Sequence, residues 1–132
     1  MNSKEILKLI KDKDIEFVDL RFTDPRGKLQ HLTMDNTIVD EEMFEDGVFF
    51  DGSSIAGWKA INESDMILKP DLLRPIIDPF NSHNTLNIFC DILDAVKKDP
   101  YERDPRSTAK KAEAYLKKSG IGDKAYFGPE PE

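Results

Sequence analysis

The chain has 132 residues, 39% hydrophobic and 34% charged, a balance that fits a soluble folded domain and excludes a disordered tail. Its formal charge of −7 argues against a nucleic-acid partner, which would need clustered Lys and Arg. The lone Cys90 excludes an internal disulfide, no apolar run approaches the roughly 18 residues that span a bilayer, and the first residues lack an export signal, so the expected compartment is the cytoplasm with no membrane partner.

Asn2 followed by Glu5 predicts a capping box, and Ile6, Leu7, Leu9 and Ile10 then share one helical face. From Ile15 the period changes, and Val18, Leu20 and Phe22 alternate with Asp19 and Arg21 as in a half-buried strand. Asp24-Pro25-Arg26-Gly27 predicts a turn, with a returning strand from Leu29 to Met34. Asp40 predicts the cap of a short helix through Phe44 that ends near Gly47. Residues 51–62 read as a loop. Short strands are expected over Met66–Lys69, Leu73–Ile77 and Leu86–Asp91, with Pro70 between the first two. Asp104 before Pro105 opens a last helix, along which Ala109, Ala112 and Leu116 are spaced, and Gly120 closes it.

Strands interleaved with few helices predict an α+β domain. The polar, proline-marked stretch from Lys97 to Arg106 is the expected boundary, and the single helix and strand start beyond it are too little to fold alone. Cys90 lies in the apolar run Leu86 to Cys90 and reads as a buried small hydrophobe. His31 and His83 have no metal-ligand neighbour at useful spacing and read as structural or surface residues.

Two stretches carry chemistry. Gly52 and Gly57 can bring a backbone close to a ligand, while Asp51, Glu63 and Asp65 supply negative charge, Ser53 and Ser54 supply hydroxyls, and Trp58 can cover a partner. Such a loop suits an ammonium ion, a metal or an amine; the alternative is an ordinary turn with a hydrogen-bonding Asp and a packed Trp. In Gly128-Pro129-Glu130-Pro131-Glu132, the prolines favour extended backbone. Glu130 and Glu132 then face one side, about 6–7 Å apart at a rise of about 3.3 Å per residue. Two carboxylates so placed suit a hard divalent cation, or else form a solvent-facing strand end.

Phe50-Asp51-Gly52-Ser53-Ser54, then eight residues, then Glu63-Ser64-Asp65 and Leu68, resembles the amino-terminal signature of bacterial type I glutamine synthetase. Phe17-Val18-Asp19-Leu20-Arg21-Phe22-Thr23-Asp24 and Asp104-Pro105-Arg106-Ser107 are similar to that family as well, so the resemblance covers essentially the whole chain. It implies a β-grasp amino-terminal domain over residues 1–104, a sheet curled around a helix, followed over 105–132 by the truncated start of a catalytic domain. It further implies ATP-dependent ligation of ammonia to glutamate through a γ-glutamyl phosphate, in an enzyme of stacked homo-oligomeric rings. Asp51 would bind ammonium and take its proton, with Gly52, Ser53, Ser54 and Trp58 in the same loop. Trp58 would make a nucleotide-side or interface contact. Glu130 and Glu132 would each bind one of the paired Mg²⁺ or Mn²⁺ ions. The 132-residue chain alone is expected to be inactive. A β-grasp binding module without catalysis and a ligase for another amine are the competing expectations.

Overall fold

The computed structural model describes residues 1–55, 57 and 64–130. The expected capping box opens helix α1 (Ser3–Asp12): Asn2 Oδ1 accepts from the Glu5 N–H at 2.9 Å and Glu5 Oε2 from the Asn2 N–H at 3.0 Å. Ile6 and Ile10 are the buried residues of α1. Strands β1 (Phe17–Thr23) and β2 (Leu29–Asp35) form an antiparallel hairpin, with Arg21 opposite His31 and Asp19 opposite Thr33. Asp24 Oδ1 accepts the Arg26 and Lys28 N–H groups at 2.9 Å each across the turn, and Gly27 supplies the left-handed residue at φ +83°.

Asp40 caps α2 (Glu41–Asp46) by accepting from the Met43 N–H at 2.8 Å, and Gly47 ends it at φ +85°. The Lys69 ammonium reinforces that end, donating to the carbonyls of Phe44, at 3.0 Å, and Glu45. A Cβ at Gly47 would lie 2.6 Å from the Leu68 carbonyl oxygen, so close approach as well as backbone angle calls for glycine there. The chain then enters β3 (Val48–Asp51), a strand the sequence reading did not assign. Strand β4 (Asp65–Pro70) pairs with it antiparallel.

Only Ile76–Ile77 of the expected Leu73–Ile77 strand is a strand, β5. Leu73 instead turns in solvent, its N–H held by Asp71 Oδ1 at 3.0 Å, and Pro75 has no N–H to give to a ladder. Strand β6 (Thr85–Asp94) runs three residues past the expected Asp91. Its first half lies between β1, to which it is parallel, and β5, while its second half pairs antiparallel with β4. The strand order is β2-β1-β6-β4-β3.

One face of this mixed sheet is apolar. Val18, Leu20 and Phe22 of β1, Met66 and Leu68 of β4, and Leu86, Ile88, Cys90 and Ile92 of β6 join Ile6, Ile10, Met43 and Phe44 of the helices in one buried cluster. Cys90 is fully buried as expected, and burial pushes its thiol pKa up.

Helix α3 (Pro105–Ser119) leaves the sheet from Asp104, a buried residue whose carboxylate accepts from the Ile92 N–H at 3.1 Å and the Arg106 N–H at 3.0 Å. Arg106 then spans Asp71 and Asp91, at 2.5 and 3.1 Å, and Lys110 joins Asp91. Ala109, Ala112 and Leu116 lie on the expected face, but that face lines an open groove with Leu73, Tyr126 and Phe127. Ser107 is the buried residue of α3.

Candidate ammonium-binding turn

Alternation along β3 turns Val48 and Phe50 toward the core and leaves Phe49 and Asp51 exposed on the opposite face. Asp51 is the last residue of the strand and stands directly across from Asp65 of β4. Like charges facing each other on neighbouring strands repel, and a cation between them relieves that repulsion.

Immediately after Asp51 the chain makes one 3₁₀ turn, Gly52–Ser54, and Asp51 caps it by accepting from the Ser53 N–H at 2.9 Å. The Ser53 side chain and backbone, and then the Ser64 side chain, hold the Asp51 carboxyl below the usual carboxylate range. It is therefore ionised at neutral pH. A carboxylate with a low pKa is better suited to holding a cation than to keeping a proton.

Gly52 explains the glycine of the motif. Its N–H donates to the Ser64 carbonyl at 2.8 Å, closing the neck of the loop. An added Cβ would sit 2.8 Å from Met66 Cγ and 2.9 Å from the Ser64 oxygen, so no side chain fits without displacing the strand below. Ser54 is exposed, and the next residue, Ile55, is buried and ties the turn to the core. Arg103 donates to the Gly57 carbonyl at 2.9 Å from the far side.

The structure thus brings Asp51, Gly52, Ser53 and Ser54 into one turn and adds Ser64 and Arg103, to which the sequence reading gave no role. The register of β3 against β4 was the missing signal for Ser64, since it follows from the pairing of Asp51 with Asp65. Trp58 and Glu63 lie outside the described residues, as does Glu132. Glu130 is exposed in the segment that follows α3. No hydrogen bond or ion pair among the described residues joins it to the Asp51 turn. Nor, among those residues, do three or more His, Cys, Asp or Glu side chains come together as a metal site. What Glu130 offers is one exposed carboxylate, a chemically suitable ligand for a hard cation that would need others to complete the shell.

The two histidines have structural partners, as expected. His31 Nδ1 lies 2.8 Å from Asp19 Oδ1, and His83 Nδ1 lies 3.1 Å from Glu16 and packs edge-on against Phe17.

A mixed sheet of this order with α1 and α2 on its apolar face is a β-grasp domain. Residues 14–95 match the family model described as glutamine synthetase, beta-Grasp domain, and the chain belongs to that family. It is 66% identical over 130 residues to the glutamine synthetase of Rhizobium meliloti (strain 1021), covering 98% of this chain and 28% of that protein. The glutamine synthetase of Methylococcus capsulatus (strain Bath) is 56% identical over all 132 residues, again with 28% of its length covered. Among solved structures, the cryo-electron microscopy structure of Plasmodium falciparum glutamine synthetase superposes with a TM-score of 0.81 at 30% identity, over 91% of this chain and 23% of that one. The chain therefore spans about 28% of the length of these curated relatives. No helix among the described residues is long and apolar enough to cross a membrane.

Proposed function

We propose that the chain is the amino-terminal part of a glutamate–ammonia ligase of the cytoplasm, acting in nitrogen assimilation. In it ATP phosphorylates the γ-carboxylate of glutamate and ammonia displaces the phosphate. The observation that carries this reading is the Asp51 turn: an ionised, exposed carboxylate at a strand end, opposite a second carboxylate, in a motif shared with the family. Asp51 attracts ammonium and orients it through its Coulombic field, then accepts a proton as the amine becomes the nucleophile. Gly52 and Ser53 fix the carboxylate, and Ser54 and Trp58 belong to the same loop. Residues 105–132 belong, on this reading, to the start of the catalytic domain. Glu130 and Glu132 would hold Mg²⁺ or Mn²⁺, which supply charge neutralisation for the phosphates of ATP.

Asp51 and the terminal glutamates fall on opposite sides of the 104/105 boundary, in keeping with a site shared between neighbouring subunits of a ring. The test is to co-assemble two inactive full-length variants, Asp51→Ala and Glu132→Ala. Hybrid rings regain glutamine synthesis if an intact Asp51 of one subunit meets an intact Glu132 of the next. Confirmed hybrid rings that stay inactive would refute the shared site, and an Asp51→Ala enzyme with undiminished turnover would refute the role of the turn. The 132-residue chain assayed alone is expected to form no γ-glutamyl product above a buffer control. For Glu130, calorimetry of Glu130→Ala is expected to show weakened Mn²⁺ binding, and unchanged affinity and stoichiometry would remove it from the metal site.

A further inference from the structure

Arg103 is exposed, yet the backbone on either side of it is fixed. Pro100 bridges to Leu93, the Tyr101 N–H donates to the Ile92 carbonyl at 2.8 Å, and the Asp104 N–H donates to the Tyr101 carbonyl at 3.1 Å. Tyr101 and Asp104 are buried, at 9% and 1% exposure. The guanidinium therefore projects from a platform anchored on β6. It crosses 46 positions of sequence to donate its Nη1 hydrogen to the Gly57 carbonyl at 2.9 Å. Gly57 stands at φ +90°, where few side-chain-bearing residues settle.

The near limb of the loop is already held, by the Gly52 N–H on the Ser64 carbonyl and by the Ile55 N–H on the Gly52 carbonyl at 3.1 Å. The Arg103 contact grips the limb beyond Ile55. Residues 52–55 and Gly57, which follow Asp51 directly, are thus tied at two points, the Gly52 N–H on Ser64 and the Gly57 carbonyl on Arg103.

We propose that Arg103 is a positioning residue for ammonium binding, acting through the Gly57 carbonyl on the loop that Asp51 opens. The proposal rests on the reading of Asp51 as the ammonium carboxylate. In this role Arg103 acts through the Gly57 carbonyl and not on the cation itself, so its effect falls on how the turn is held for the cation. In the full-length protein Arg103→Ala is expected to raise the KM for ammonium about tenfold, the scale of one charge-assisted hydrogen bond, with the KM for glutamate unchanged. Arg103→Lys, which keeps a cationic donor, is expected to recover most of that loss. Hydrogen exchange of peptides covering 52–57 is expected to quicken in Arg103→Ala while peptides of β6 keep their protection.

An unchanged ammonium KM in Arg103→Ala, a parallel rise for glutamate, or unaltered exchange at 52–57 each overturns the proposal. Should Arg103→Ala fail to assemble, Arg103→Gln takes its place. An ammonium KM between those of the wild type and an Asp51→Asn control supports the clamp, and a wild-type value overturns it. The same control separates the two readings. If Asp51→Asn turns over ammonium normally, the role of Asp51 has failed, and the exchange measurement alone then decides whether Arg103 holds the loop.

Discussion

Asp19 and Asp51 stand on the same face of one sheet, both with pKa values below the usual carboxylate range, yet they are opposites in what surrounds them. Burial by itself would push Asp19 up. The side chains of Arg21, His31 and Thr33, at 2.7, 2.8 and 2.7 Å, outweigh that effect. Arg21 reaches on to Asp78 at 3.1 Å, and Asp78 in turn accepts from Asn87 at 3.0 Å, so Asp19 is the hub of a network spanning β2, β1 and β6. Asp51 is exposed, and its donors come from the two residues that flank the loop neck, Ser53 and Ser64. Saturation with protein donors makes a carboxylate structural. A low pKa reached with local donors, and with one side left to solvent, leaves it able to take a cation.

That contrast breaks most readily at Asp51. In the full-length protein Asp51→Asn is expected to cost about 10²- to 10⁴-fold in turnover, the range for losing a positioned proton acceptor, while thermal stability stays close to wild type. A large fall in melting temperature with only a minor loss of turnover would place Asp51 with Asp19 instead.

The converse substitution, Asp19→Ala, is expected to lower stability by about 1–3 kcal/mol, because it removes a buried carboxylate that accepts from half-buried Arg21 and from the exposed side chains of His31 and Thr33. Arg21 keeps Asp78, which limits the loss. The measurement is the urea midpoint of the 132-residue chain. A change below 0.5 kcal/mol, roughly the size of an ordinary surface substitution, would show that the network is not structural.

Gly52→Ala comes next, at about 1–3 kcal/mol for overpacking against Met66 and the Ser64 carbonyl. Because Gly52 neighbours Asp51, the same substitution is expected to raise the KM for ammonium. Retained stability and retained affinity together would mean that the neck of the loop tolerates a side chain.

How legible these two sites were in the sequence follows from the range of the contacts that build them. The caps at Asn2, Asp40 and Asp104 and the turn at Asp24 are decided within a few residues, and the structure has each of them. The Asp51 cap on Ser53 is local too, and its motif marked it, whereas Ser64 arrives through the register of β3 against β4. Asp19 read merely as the polar half of an alternating strand, because its partners lie 2, 12 and 14 positions away and are assembled by strand register. The parallel pairing of β1 with β6 joins residues 68 positions apart, as in Phe17 with Thr85, which no local pattern encodes. Strand β3 escaped notice for another reason: four residues, half of them exposed, are too few to establish a period. The apolar stretch at Leu73–Ile77 erred the other way, since Pro75 and the Asp71 turn override its composition.

The smallest expected effect, and the sharpest separator of the two carboxylates, is the slope of stability against pH. A carboxylate whose pKa is lowered by folding contributes stability above its unfolded value and loses it as pH falls through the folded one. For Asp19 that loss begins near the ordinary value of 3.8 and continues below it. The stability of the wild-type chain relative to Asp19→Asn is thus expected to shrink as the solution is acidified through that window. Relative to Asp51→Asn the difference is expected to shrink in the same direction but by less, because Asp51 is exposed and its partners are the neutral groups of Ser53 and Ser64, with no cation among them. Asp104 supplies a control of opposite sign. Burial raises its pKa despite the N–H groups of Ile92 and Arg106, so it takes up a proton more readily folded than unfolded. The wild type should therefore gain on Asp104→Asn as pH falls from neutrality. Urea titrations of the four chains between pH 7 and pH 3 would show the three slopes, and a curve for Asp51→Asn that tracked Asp19→Asn would erase the distinction between a structural and an available carboxylate.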